Sequence, residues 1–191
     1  MLFQSIKMRC SSLWLIFALK ISFYWRSVHL VSMIKFTNIK CVALDKPFAD
    51  FAYCKLKALS RDDVALSLRV KLFEVPVNNV SSFVFQLKVE FFKKYNGYRP
   101  FLFNKTLNFC EFLRNKKRVA LLDIIFKFLE LYSNINHTCP YNNDIIVDRL
   151  ILRPSYFTML PAPAGEYRIK ITVGAYNDWK AIVNVFLQIW E

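Results

Sequence analysis

The chain has 191 residues, of which 55% are hydrophobic and 17% aromatic, with 19 Phe. So apolar a composition excludes a disordered chain, and the presence of only 3 Gly excludes a collagen-like or flexible low-complexity one. The formal net charge is +13, but Lys and Arg are scattered, mostly at alternate strand positions, which reads as solvated strand faces and loops.

The length fits one domain preceded by a leader. Lys7 and Arg9 precede an apolar block, 13–19 (LWLIFAL), which continues after Lys20 as 21–25 (ISFYW). A basic start followed by a short apolar run reads as a secretory signal peptide. Lys20 interrupts the run and no small-x-small cleavage site follows, so an uncleaved amphipathic or short membrane anchor is the alternative. The run is shorter than the roughly 20 residues that span a bilayer. A cleaved leader within 1–33, ending between Arg26 and Met33, is the reading adopted, with no stable membrane span in the remaining chain.

The leader contains Cys10 and leaves Cys41, Cys54, Cys110 and Cys139. Four cysteines in a secretory context suggest two disulfides, for which three connectivities are open. Nearest-neighbour pairing is adopted, Cys41 with Cys54 and Cys110 with Cys139. Three acceptor sequons point to the same compartment: Asn79-Val80-Ser81, Asn104-Lys105-Thr106 and Asn136-His137-Thr138.

In chain order, 34–41 reads as a first strand and Asp45-Lys46-Pro47 as a turn. A second strand spans 51–59, and Arg61-Asp62-Asp63 turns the chain. In 66–72, Leu66, Leu68, Val70 and Leu72 alternate with polar residues, the period of a strand with one buried face. After a break at 76–79 the pattern repeats over 83–91. Asn96-Gly97 is a hairpin signal, and 101–109 alternates again. Strands are also predicted at 144–152, 167–173 and 179–190, with a proline-rich loop between the first two and a turn at Tyr176-Asn177-Asp178. About eight antiparallel strands at regular spacing, in an all-β chain without repeats or a domain boundary, predict a single β-sandwich over 34–191.

One segment breaks the period. Residues 119–132 (VALLDIIFKFLELY) read as a helix inserted near 119–132. Asp123, Lys127 and Glu130 share one face, and Asp123 can pair with Lys127 across one turn. The apolar arc is wider than one contact with a sheet requires, so the helix either sinks into its own core, lids a cavity, or meets a partner or membrane. Upstream, Arg114 to Arg118 read as a solvated basic loop.

Catalysis finds no foothold. Apart from His29, near the leader, the only histidine is His137, which lies in a sequon beside Cys139 and is read as ordering its loop. No nucleophile elbow, phosphate loop, C-x-x-C or metal-ligand cluster is present. Asp144 and Asp148 are read as solvent-facing residues on the same face of a strand, not as a paired-carboxylate site. No cofactor, metal or catalytic residue is assigned, and the chain is read as a non-enzyme.

Four stretches carry a resemblance: 36–41 (FTNIKC), 51–54 (FAYC) with Leu56, 95–104 (YNGYRPFLFN) and 133–142 (SNINHTCPYN). Through them the chain resembles a large insect family of secreted proteins of unknown function, related to the MD-2-related lipid-recognition (ML) proteins and to chemosensory proteins of fly bristles. The resemblance spans roughly residues 36 to 175. It implies a signal peptide, an immunoglobulin-like sandwich, disulfides and an apolar cavity between the sheets. The first functional expectation is therefore a secreted carrier or sensor of a hydrophobic small molecule: a lipid, fatty acid or cuticular hydrocarbon. Its pocket is expected to be lined by Phe83, Phe85, Phe101 and Phe103 and covered by Phe126 and Leu129. The second expectation is an extracellular interaction module that docks to a cell-surface receptor or another such chain through the helix and the 114–118 loop. Secretion removes nucleic acid as a partner in either case.

Overall fold

The computed structural model describes residues 33–75, 77, 85–157 and 162–190. The leader, Cys10, the Asn79 sequon and Phe83 lie outside the described residues.

Eight strands form: β1 Met33–Ala43, β2 Ala49–Ala58, β3 Val64–Leu72, β4 Gln86–Lys94, β5 Tyr98–Asn108, β6 Ile145–Ile151, β7 Gly165–Ala175 and β8 Asp178–Trp190. They make two antiparallel sheets, one of five strands in the order β1-β8-β7-β4-β5 and one of three in the order β2-β3-β6. The chain is an all-β sandwich, as the period-two alternation predicts. In β8, Ala181, Val183, Val185, Leu187 and Ile189 are buried, while the residues between them are half-exposed. That is the pattern of a strand with one face on the core.

The turns follow from local chemistry. Lys94 pairs with Tyr98 across a three-residue loop in which Gly97 has φ 131°, a conformation that strongly favours glycine. Tyr176 and Asn177, with φ of 54° and 60°, join β7 to β8 with the twist that suits a right-handed ribbon.

Both disulfides adopt the nearest-neighbour pairing. Cys41 on β1 bonds Cys54 on β2, with Cα atoms 6.3 Å apart, and Cys110 bonds Cys139 at 5.6 Å. The first ties the edge strands of the two sheets together. The second closes the segment that carries the chain from β5 to β6.

That segment is more helical than its sequence pattern predicts. The alternation over 101–109 suggests strand up to Phe109, but β5 ends at Asn108 and a short helix, α1, runs over Phe109–Arg114. Asn108 caps it: its side chain accepts the Glu111 N–H at 3.2 Å, a contact of about 1 kcal/mol. A 3₁₀ turn follows over Lys116–Arg118, then α2 over Ala120–Leu129, extended by a 3₁₀ turn at Glu130–Tyr132. The basic stretch is therefore not a solvated loop throughout. Lys116 bonds Glu130 at 2.5 Å and lies 4.5 Å from the centre of the Phe126 ring, which pins the turn against the helix. Asp123 and Lys127 pair at 3.2 Å across one helical turn.

A three-stranded sheet cannot cover a five-stranded one, and the helices take up the difference. Phe109, Phe112, Leu113, Leu122 and Phe126 are buried in one cluster with Val89 of β4, against which Leu87, Phe91, Phe103 and Leu107 of β4 and β5 also pack. Phe128, on the other side of α2, joins a second cluster with Ile34, Leu66, Val147, Leu150 and Phe157. Most of the wide apolar arc of the helix thus faces its own fold, while Leu131 in the 3₁₀ turn that follows is 71% exposed. The ring contacts of the helix include Phe128 stacked on Tyr156 at 4.9 Å and Phe112 edge-on to Phe126 at 5.6 Å.

Register shifts interrupt five of the strand pairings among the described residues, and three of them bear on side chains singled out in the sequence. Opposite β4, residues 101–103 of β5 carry an irregularity with Leu102 at φ 59°. In β6 the register against β3 shifts at 148–149, with Arg149 at φ 49°. In β8, Lys180 is the extra residue where Val173 pairs with Ala181 and Gly174 with Trp179. A bulge re-aims the side chain it carries, and each of these changes a sequence-based reading.

Candidate functional site

Between the two sheets and α2 lies a cavity of about 300 Å³, roughly ten water volumes. Both sheets build it from their inward positions. The small sheet contributes Phe51 from β2, Leu66, Leu68, Val70 and Leu72 from β3, and Val147 and Leu150 from β6. The large sheet contributes Phe36, Leu87, Val89, Phe91, Ile169, Ile171, Val183, Val185 and Leu187. From the helical segment come Phe109, Phe112, Leu122, Ile125, Phe126, Phe128 and Leu129. α2 is therefore a wall of this cavity.

Of the six residues expected to line a pocket, Phe85, Phe126 and Leu129 are on its wall. Phe101 and Phe103 are not. They flank the bulge on β5, an edge strand, where Phe101 packs on Tyr167 at 5.7 Å and Phe103 on Phe91 at 5.6 Å. The bulge and the edge position hold these rings behind the wall. The sixth, Phe83, lies outside the described residues. Sequence reasoning missed the larger share of the lining, which comes from the inward positions of β3, β7 and β8. The signal was present as alternation, but alternation marks a core face and does not say that the core is incompletely filled.

Two polar side chains reach this wall, Tyr141 and Lys180. The Tyr141 hydroxyl donates to the His137 carbonyl at 2.7 Å. His137 itself donates through Nδ1 to the Thr138 carbonyl at 2.7 Å, and its ring lies 4.6 Å from that of Tyr141. Backbone bonds in both directions between Val77 and Tyr141 fix the ring further. Lys180 is turned inward by the β8 bulge. Its side chain is only 10% exposed, and its ammonium meets Asp45 at 2.6 Å and Asp178 at 3.5 Å. Simple alternation would place Lys180 outward. The hydrogen bond between Asp45 and Lys180 holds the carboxyl below its usual range and the ammonium above its own.

Burial raises the hydroxyls of Tyr141 and Tyr167 to about 12, from the ordinary value of about 10. The unfolded chain ionises these groups near 10. The stability they contribute is thus complete below about pH 10 and is lost as pH rises towards 12. In a phenolate absorbance titration of the folded protein, these two are expected among the last of the nine tyrosines to ionise. Simultaneous ionisation of all nine near 10 would contradict their burial.

Asp144 departs from the sequence reading. It precedes β6 and does not sit on one strand face with Asp148. It pairs with Arg69 at 2.7 Å and accepts the Leu72 N–H at 3.4 Å, joining β3 to the start of β6. Asp148 lies at the bulge, exposed beside Arg149. Among the described residues, no group of three or more His, Cys, Asp or Glu is placed to hold a metal ion, and no helix is long and apolar enough to cross a membrane.

No curated protein matches the chain. Residues 87–169, from β4 through both helices into β7, match the family model described as Protein of unknown function (DUF1091). The part of the chain that carries the helical wall of the cavity is thus similar to a protein family whose function is unknown.

Proposed function

We propose that this is a secreted, non-enzymatic binding protein that carries or senses a hydrophobic small molecule. The observation that supports the reading best is the cavity of about 300 Å³, lined by apolar side chains from both sheets and α2. Packed protein interiors hold few voids larger than a water molecule, so a volume of this size between two sheets is the kind of space an apolar ligand occupies. Entry of such a ligand exchanges hydrated apolar surface for a preformed wall, with a negative heat-capacity change as its thermodynamic mark. A lipid, a fatty acid and a cuticular hydrocarbon all fall in this class, and a role in chemosensation accords with the family resemblance. The test is titration of the protein, made in insect cells, with the neutral apolar dye N-phenyl-1-naphthylamine. Saturable one-to-one enhancement of its fluorescence is expected, and a flat titration would overturn the reading.

Secretion is part of the proposal. Two disulfides suit an oxidising compartment, and the Asn104 and Asn136 sequons are exposed. Removal of N-glycans from the secreted protein should increase its gel mobility, and Asn104→Gln and Asn136→Gln should each remove one step. Retention in the cytosol without glycans would contradict it.

A further inference from the structure

The polar groups of the cavity wall narrow the ligand class, and this inference rests on the carrier reading above. Binding pockets usually combine apolar walls with a few polar groups left free to orient the ligand. Here, among the described residues, the wall offers none. Tyr141 and Lys180 line it with carbon atoms only, their polar tips being engaged by the protein itself, Tyr141 with the His137 carbonyl at 2.7 Å and Lys180 with Asp45 at 2.6 Å. The buried polar side-chain atoms that have no hydrogen-bond partner, Glu90 Oε2 and Arg168 Nε, belong to residues absent from the cavity wall.

Lys180 decides the sign of the charge preference. A lone ammonium at the wall would attract a carboxylate head, as a bidentate or point-charge partner does in a dry site. This ammonium stands between two carboxylates, Asp45 and Asp178, so one cation faces two anions. A further carboxylate brought to that end would be desolvated without a free cation to receive it. An uncharged chain carries no such cost and needs no polar partner.

We propose that the cavity takes an uncharged hydrocarbon chain in preference to the carboxylate of a fatty acid of the same length, because its one cation is already held by Asp45 and Asp178.

The experiment compares n-dodecane with dodecanoate at neutral pH, each displacing N-phenyl-1-naphthylamine from the intact protein. Dodecane is expected to half-displace the dye at a concentration about tenfold or more below that of dodecanoate. The Asp45→Asn, Asp178→Asn variant frees the Lys180 charge. It should bind dodecanoate about fivefold or more better than the natural protein while leaving dodecane unchanged. A thermal melt of the variant checks that it folds, and Lys180→Met, which removes the charge, should keep the preference for dodecane. Equal displacement by the two ligands, or displacement by neither from a protein that binds the dye, would overturn this inference and leave the carrier reading standing. Absence of dye binding by the natural protein would overturn both.

Discussion

A Val147→Phe, Ile171→Phe double variant should fold, melt within a few degrees of the natural protein, and lose binding of an apolar dye by about a hundredfold. The two residues lie on opposite sheets, on β6 and β7, and both line the cavity. In a filled core, adding bulk at one site costs about 1–3 kcal/mol because neighbours must leave their rotamers. Two such changes would lower the melting temperature of a chain this size by about 10 °C. In this protein the added rings enter open volume, so stability is largely kept and only the binding space is removed. The paired readout separates a ligand cavity from a plain core. A large loss of stability would say that the interior is packed solid, and unchanged dye binding would place the dye elsewhere.

The second large effect concerns the helical wall. Replacing both Cys110 and Cys139 with Ser should cost about 3.5 kcal/mol, the chain-entropy value for a loop of about 30 residues, and lower the melting temperature by about 10 °C. Cys110 is only 1% exposed, so the new hydroxyls also enter an apolar site. The loss should be local before it is global. α1 and α2 belong to the segment this bond closes, and their amides should exchange with solvent faster than those of β7 and β8. Because Phe112, Leu122, Phe126 and Leu129 wall the cavity, dye affinity should fall in the same variant. The Cys41→Ser, Cys54→Ser variant, with a loop about half as long, should lose somewhat less stability, about 3 kcal/mol. Equal exchange in the helical and sheet amides of the Cys110, Cys139 variant would contradict the anchoring role.

Much of this fold is legible in the sequence because a sandwich writes its buried face at every second residue. Runs that alternate apolar with polar, such as 66–72 and 167–173, lie in strands, and the one run with helical spacing became α2. What was not legible has three physical sources. A capped helix can follow a strand without any change in the apolar spacing. Phe101, Phe103, Leu107 and Phe109 look like one strand, yet Asn108 followed by Glu111 at the third helical position is an N-terminal signature that ends it. Bulges shift the face of whatever follows, which is how Lys180 came inward, how Asp148 and Arg149 both came to be exposed, and how Phe101 and Phe103 ended beside the cavity and not on it. Finally, a cavity is a deficit of volume summed over three walls. Each wall looks like ordinary core when read alone, so the inward residues of β3, β7 and β8 carried no local sign of it.

Native mass spectrometry of the intact, disulfide-bonded protein, purified from insect cells without detergent, shows most directly whether the cavity carries an apolar molecule. A population heavier than the glycosylated chain by the mass of one apolar molecule is expected, which solvent extraction removes and incubation with n-dodecane or the neutral dye restores. A single unadducted mass that neither addition changes would contradict the carrier reading.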